Sequence, residues 1–264
     1  MEALWLPGCE AFLRYADLPG EGPALVWLHC LGGAAIGYAR VAAQPGLAGR
    51  RSVLVDLLGF GCSDRPEGYG YTLGEQAGTV AALLDHLGLR GATVIGHSMG
   101  GSVAITLAGQ RPDLVGRLLI AEAPLALGEE SASRTFAAQT EAAFIAAGFA
   151  AFLAPLRAAA RAGGGTAAAF LGQFQVAAPH AVHRTAVGMV AGTPALQGRF
   201  VGLALPRAYL WGARTLAAEP GAARIAAELT RAGLPTRVVP GAGHLMNLDN
   251  PAGFAAVIAG ELAG

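Results

Sequence analysis

Six consecutive residues, Gly96-His97-Ser98-Met99-Gly100-Gly101, carry the clearest chemistry in the chain. They follow a short apolar run, Ala92–Gly96, and open a helix-length segment, Met99–Arg111. A serine between glycines at such a junction is predicted to sit on a sharp strand-to-helix turn. The turn strains the backbone at Ser98, and Gly96 and Gly100 relieve the crowding around it. Ser98 then presents its hydroxyl at a helix N-terminus, where backbone N–H groups favour a developing oxyanion. This is the chemistry of a nucleophile attacking a carbonyl carbon. A serine hydroxyl is a poor nucleophile near neutral pH and needs a base. His244, in Gly241-Ala242-Gly243-His244, follows a short apolar run and precedes a helix-length segment. The plainer alternative for Ser98 is an ordinary helix-capping serine in a glycine-rich turn.

The elements around these residues alternate. Ala24–His29, Arg51–Asp56, Ala92–Gly96, Arg117–Glu122, Pro206–Trp211 and Thr236–Pro240 are apolar almost throughout, as parallel strands covered on both faces are. Thr72–Leu87, Met99–Arg111, Gly221–Ala232 and Pro251–Leu262 have helix length. This alternation predicts an α/β fold with a mostly parallel, doubly wound sheet. Residues up to about Tyr15 are expected as antiparallel strands at its edge. From Pro124 to about Leu205 no strand is evident. The stretch reads as several short helices separated by Gly148, by Gly163-Gly164-Gly165, and by Pro179 and Pro194. It must leave the sheet and return, so it is expected to cap the carboxyl ends of the strands, where open α/β sheets bind ligands. Its aromatics, with Met189, should fill its own core and in part line an apolar pocket.

Composition narrows the function classes. The 264 residues are 53% hydrophobic and 14% charged, far from a disordered composition. Eighteen basic residues balance eighteen acidic ones, so nothing points to nucleic acid or an anionic membrane. The chain has no lysine, which excludes Schiff-base chemistry and a Walker-type phosphate loop. Cys9, Cys30 and Cys62 form no CxxC pair, arguing against a disulfide framework or zinc cluster. His180 and His183 are spaced to share a helix face, but two histidines without a third ligand rarely hold a metal. The longest uncharged apolar run, Ala142–Leu156, is shorter than a spanning helix and is interrupted by Gly148 and Pro155. With no signal-peptide pattern at the N-terminus, the expectation is a cytoplasmic protein without membrane or nucleic-acid partners.

Four motifs occur in order: HCLGG at His29–Gly33, DLLGFGCSDRP at Asp56–Pro66, GHSMGG at Gly96–Gly101 and GAGHLMNLDNP at Gly241–Pro251. With them the chain resembles the α/β-hydrolase superfamily, in its compact, cap-bearing serine esterase and lactonase branch, over nearly its whole length. The resemblance implies an α/β-hydrolase core at 1–123 and 206–264 with a helical cap at 124–205. It implies that His244 takes the Ser98 proton. It implies an oxyanion hole made by the backbone N–H groups of Leu31 and Met99, and no cofactor or metal. Asp56, Ser63 and Asp64 match a structural turn of the family. His29 and His97 read as structural, and His86 as a surface residue.

The chain departs from the family in two places. Cys30 stands where glycine is usual. It reads as a tolerated small apolar residue; the alternatives are a narrowed oxyanion hole or a reactive thiol. The family often has an aspartate after the penultimate long strand, in a WG-x-x-D context. Here that segment is Trp211-Gly212-Ala213-Arg214-Thr215, and threonine cannot carry the negative charge that steadies an imidazolium. The order Ser…Asp/Glu…His requires an acid between 98 and 244. Asp113 reads as a solvated turn residue, Glu129, Glu130 and Glu141 belong to the cap or its entry, and Glu228 lies on a surface helix. Glu219 follows the WG segment at the start of a helix. Glu122 ends the strand after the nucleophile's unit and opens onto the ligand-binding face, as the acid does in haloalkane dehalogenases and zearalenone-type lactone hydrolases. Glu122 is the reading preferred over Glu219.

The function expected from these residues is hydrolysis of a small apolar carboxylic ester or lactone through an acyl-enzyme on Ser98. The serine at the elbow argues against dehalogenase and epoxide hydrolase chemistry, which use an aspartate there. The alternatives are the same machinery acting on a C–C, amide or thioester bond, and a catalytically silent ligand-binding relative.

Overall fold

The structure, a computed structural model, describes residues 1–128 and 131–263. Eight strands form one sheet: β1 (Glu2–Leu6), β2 (Ala11–Leu18), β3 (Glu21–Leu28), β4 (Arg50–Asp56), β5 (Ala92–His97), β6 (Val115–Ala121), β7 (Arg207–Gly212) and β8 (Thr236–Val239). Their order is β1-β2-β4-β3-β5-β6-β7-β8. The β1–β2 and β2–β4 pairs are antiparallel and the rest are parallel. The six apolar runs read from the sequence are the six strands from β3 to β8, within three residues at each end. Their continuous hydrophobicity follows from burial on both faces. Val26, Leu28, Val94 and Ile120 face one core cluster, while Leu25, Trp27, Ile95 and Leu119 face the other. From β3 the chain winds one way to β4, then crosses to β5 and winds the other way. Loops leaving β3 and β5 therefore diverge at the carboxyl end of the sheet, the kind of switch point at which open α/β sheets bind ligands.

Helices Leu73–His86 and Met99–Gln110 cover one face, and Pro251–Ala263 covers the other. The first is nucleated by a reciprocal capping box, in which Thr72 and Glu75 satisfy each other's free backbone N–H groups. Between β6 and β7 the chain leaves the sheet and forms helices at Ala132–Ala137, Glu141–Arg161, Gly165–Phe174 and Pro179–Gly202. Pro179 starts the last of these at a position where its missing N–H costs nothing.

Two predicted breaks in this region are absent. The helix Glu141–Arg161 runs unbroken for 21 residues through both Gly148 and Pro155. Gly148 lies in a widened π turn over Phe144–Gly148. A side chain there would meet Gln139 Oε1 at 2.3 Å, so this glycine permits a close approach and does not end the helix. Likewise Pro179–Gly202 is continuous through Pro194. Pro155 and Pro194 are both exposed positions on their helices, away from the packed faces. With no interruption, Glu141–Arg161 is by length and composition long and apolar enough to cross a membrane; its mean hydropathy is 1.7 and 11% of its apolar window is buried.

Six phenylalanines of this region form one connected cluster, while Phe200 packs on Tyr209 of β7. Phe136 meets Phe144 and Phe152 at 4.9 and 4.8 Å, Phe152 meets Phe174 at 4.8 Å, and Phe149 and Phe170 close on Phe174. Phe174 in turn fills the place a side chain would occupy at Gly32, whose φ of 72° belongs to glycine. The inserted helices thus rest directly on the loop after β3.

Candidate active site

Ser98 follows β5 with φ 51° and ψ −117°, a conformation that a β-carbon makes costly by about 1–3 kcal/mol. Packing imposes it. A side chain at Gly96 would lie 2.5 Å from Gly100 O, and one at Gly100 would lie 2.2 Å from Leu28 O. The first turn of helix Met99–Gln110 is pressed against the ends of β3 and β5, and only glycine allows that approach. A capping serine would accept an N–H two or three residues on. Ser98 makes no such bond, while its own N–H donates to Ala121 O at 2.8 Å.

Glu122 stands one residue beyond β6, with φ 45°. Its N–H donates to Leu210 O, holding it to the neighbouring β7. Its carboxylate is 3% exposed and accepts two hydrogen bonds: Gly212 N–H at Oε1 (2.7 Å) and His244 Nδ1–H at Oε2 (2.7 Å). The loop carrying His244 lies close on Gly212, since a side chain there would meet Gly243 O at 2.5 Å. Because Nδ1 donates to the carboxylate, Nε2 of a neutral His244 is left as the acceptor. The ring is 48% exposed and lies 5.1 Å from that of His97, the neighbour of Ser98. Ser98, Glu122 and His244 thereby all follow the carboxyl ends of parallel strands, β5, β6 and β8; the carboxylate and the imidazole are joined, and among the described residues no hydrogen bond joins Ser98 Oγ to His244.

The loop after β3 is held from several directions. His29 is buried and accepts Leu57 N–H at Nε2 (3.1 Å), so Nδ1 donates to Cys30 O (2.8 Å). Burial holds its pKa below the ordinary value, against the opposing pull of Asp56. Ala34 N–H donates to Gln173 Oε1 (3.0 Å) and Ala35 N–H to Asp56 Oδ1 (2.7 Å). Among the described residues, neither Leu31 nor Met99 donates its N–H to a turn or loop acceptor. Cys30 is absent from the residues with positive φ, so a side chain is accommodated where the resemblance called for glycine. Burial pushes its thiol up to about 12, which keeps it protonated and unreactive near neutral pH.

The other acids lie elsewhere. Glu219 is exposed at the junction of Ala213–Ala218 and Pro220–Arg231. Asp113 pairs with Arg111 and Arg90, Glu141 with Arg184, and Glu228 with Arg224 and Gln197. Glu129 and Glu130 lie outside the described residues. Asp56 spans a turn through Ala35 and Cys62 N–H, while Ser63 and Asp64 accept backbone N–H groups of β2. His180 faces Tyr71 and His183 faces Gln139 O; no group of three or more metal-ligating side chains converges among the described residues.

A family model described as alpha/beta hydrolase fold matches residues 23–251. The chain belongs to the α/β-hydrolase family. Curated relatives match a shorter stretch. A putative hydrolase, LipZ, of Mycobacterium tuberculosis is 35% identical over 114 residues, covering 43% of this chain and 38% of the relative. Haloalkane dehalogenase 2 of Mycobacterium bovis is 34% identical over 115 residues, 43% of this chain and 39% of the relative. The matched part thus spans about two-fifths of those relatives. Among solved structures, a thermophilic esterase from Thermogutta terrifontis superposes with a TM-score of 0.83 at 22% identity, covering 100% of this chain and 98% of that one. An enol-lactonase from Burkholderia xenovorans LB400 gives 0.79 at 23%, with both chains covered completely.

In this α/β-hydrolase, residues not singled out from the sequence also hold the site. Asp249 accepts Gly243 N–H (2.9 Å), the Arg214 guanidinium (2.6 Å) and Thr166 Oγ1–H (2.9 Å). It ties the histidine loop both to the WG segment and to the inserted helix Gly165–Phe174. The LMNLDNP run after His244 was the available signal. Tyr38 reaches His97, and Gln173 reaches the β3 loop. Nothing in the sequence marks those two, because their partners are 59 and 139 residues away. Two surface clefts of about 510 and 420 Å³ lie apart from this site. One is at Arg117, Arg207 and Pro235 near the opposite strand ends, and the other is at Tyr15 and Arg51 by the edge hairpin.

Proposed function

We propose that this hydrolase cleaves small apolar carboxylic esters or lactones through an acyl-enzyme on Ser98. His244 Nε2 accepts the Ser98 proton as the hydroxyl attacks the carbonyl. Glu122 holds the imidazole in the Nδ1–H tautomer and stabilises the imidazolium that forms. The tetrahedral oxyanion rests on the N–H groups of Leu31 and Met99. His244 then gives its proton to the leaving alcohol, and a water it activates releases the acid. No step calls for a metal or cofactor. The inserted helices, 124–205, act as a cap, and their aromatic cluster favours an apolar acyl, alkyl or ring group. The names of the esterase and enol-lactonase neighbours agree with this substrate class. A cytoplasmic, small-molecule enzyme is the matching cellular reading.

The observation that carries the proposal is the buried Glu122 carboxylate on His244 Nδ1 (2.7 Å), one strand over from a serine with φ 51°. The test combines a fluorophosphonate probe with a panel of esters and lactones of graded chain length and ring size. The probe should label Ser98, and Ser98→Ala should lose both labelling and turnover, the latter on the order of a million-fold. Substantial turnover by pure Ser98→Ala protein overturns the assignment. A wild-type protein that neither labels nor turns over any panel member is a ligand-binding relative.

A further inference from the structure

A chain of side chains beneath the site joins the segment after β3 to the loop that carries His244. Tyr38 lies in the short helical turn Ala35–Tyr38, is 1% exposed, and meets Trp27 at a ring distance of 5.7 Å. Its hydroxyl is 2.9 Å from His97 Nδ1, and His97 Nε2 is 2.7 Å from the backbone carbonyl of His244. His97 is fully buried. Burial holds its pKa down to about 3, with the neighbouring His244 pushing the same way, so at neutral pH it has one proton to place. The two ring nitrogens face different partners. A carbonyl oxygen only accepts, whereas a phenol hydroxyl both donates and accepts. If the proton sits on Nδ1, the Nε2 lone pair points at the His244 carbonyl at 2.7 Å, and two acceptors collide. If it sits on Nε2, His97 donates to His244 O and Tyr38 O–H donates to Nδ1. Burial keeps the phenol protonated and able to donate.

We infer that Tyr38 and His97 are positioning residues: the His244 carbonyl requires the Nε2–H tautomer of His97, the Tyr38 hydroxyl reinforces it by donating to Nδ1, and the Nε2 proton anchors the backbone of His244. The inference rests on His244 acting as the base. Glu122 fixes the His244 ring through Nδ1, while His97 fixes the peptide it hangs from. Two independent constraints, one on the ring and one on the carbonyl, set where Nε2 points relative to Ser98. Neither Tyr38 nor His97 touches the reacting atoms. Tyr38 also comes from the segment that follows Leu31, so the same chain couples the oxyanion loop to the base loop.

The tautomer is read directly from imidazole ¹⁵N NMR of the wild-type protein, with His97 assigned by its loss in His97→Gln. Protonated Nε2 and bare Nδ1 are expected; a proton on Nδ1 overturns the inference whatever the activity. In kinetics, Tyr38→Phe keeps the ring and its contact with Trp27 but removes the donor. It should lower kcat about tenfold with KM little changed, the scale of one buried hydrogen bond. His97→Leu should lose more than His97→Gln, whose amide can still donate to His244 O. Tyr38→Phe should add little loss in the His97→Gln background, because an amide NH₂ donates to His244 O without needing a hydrogen bond at a second ring nitrogen. An equal loss in both backgrounds, or a Tyr38→Phe enzyme with wild-type kcat, overturns it. Ser98→Ala and His244→Ala run alongside separate this from the functional reading. If they stay active, the catalytic assignment fails, while the NMR measurement still decides the tautomer.

Discussion

Glu122 reaches His244 from a left-handed backbone, with φ 45°, and from almost complete burial. A buried carboxylate without partners is costly, and here the N–H of Gly212 and the Nδ1–H of His244 take one oxygen each. A glutamine at 122 keeps the shape but offers one oxygen and one NH₂ to two donors. One of them is left facing another donor, so His244 loses either its partner or its tautomer. We therefore expect Glu122→Gln to fold normally and to cut kcat/KM by roughly 10⁴. Glu219→Gln, altered at an exposed site, should stay active. Measuring both variants side by side checks the acid. A nearly fully active Glu122→Gln beside a dead Glu219→Gln moves the role to the later loop.

Helix Met99–Gln110 is where element packing and chemistry meet. Its N-terminus is driven against Leu28 O at the end of β3, and that contact sets the strained angle at Ser98. A methyl group at Gly100 would lie 2.2 Å from Leu28 O, whereas one at Gly109, near the other end, meets nothing within 4 Å. Gly100→Ala should therefore cost about 1–3 kcal/mol of stability through overpacking and displace the elbow, with turnover lost. Gly109→Ala should be neutral or stabilising by up to about 1 kcal/mol. Urea unfolding midpoints and esterase rates for the pair check this; equal midpoints would show that the close approach is not limiting. The same attention to faces explains the inserted helices. Gly148 makes room for Gln139 and Phe144, and Pro155 and Pro194 lie toward solvent, so none of the three ends a helix.

For the whole molecule, buried neutral histidines link folding to pH. His97 and His29 are fully buried, and loss of solvation lowers both pKa values, to about 3 for His97. In the unfolded chain each titrates near 6.5. Between about pH 6.5 and 3 the unfolded state therefore binds more protons than the native state, so stability rises with pH in this window. It is fully present above about 6.5 and is lost as pH falls. Each histidine contributes a slope of at most about 1.4 kcal/mol per pH unit. Measured between pH 7 and 5, above most carboxylate titration, unfolding free energy should fall with pH. In His97→Gln the slope should be shallower by about one proton; an identical slope would mean that His97 takes up a proton in the native state.

Local order was legible in the sequence because its causes are local. Strands buried on both faces must be apolar throughout, so β3 to β8 could be read within three residues at each end. A serine between glycines at a strand-to-helix junction has few other uses, and the family followed from four motifs in order, with the match at 23–251 agreeing. Chain order and strand ends made Glu122 the preferred reading among seven acids, yet what that carboxylate touches was not contained in them. Its partners, Gly212 and His244, are 90 and 122 residues away, and they meet it only because β6 lies between β5 and β7. Tertiary structure alone decided three further things. It chose which face Gly148, Pro155 and Pro194 would present, and so whether the helices continued. It gave Asp249 its three partners across the loops. It also placed Tyr38 and a carbonyl on opposite nitrogens of His97. Each depends on what lies across a gap in space, and side-chain spacing along the chain carries no record of that.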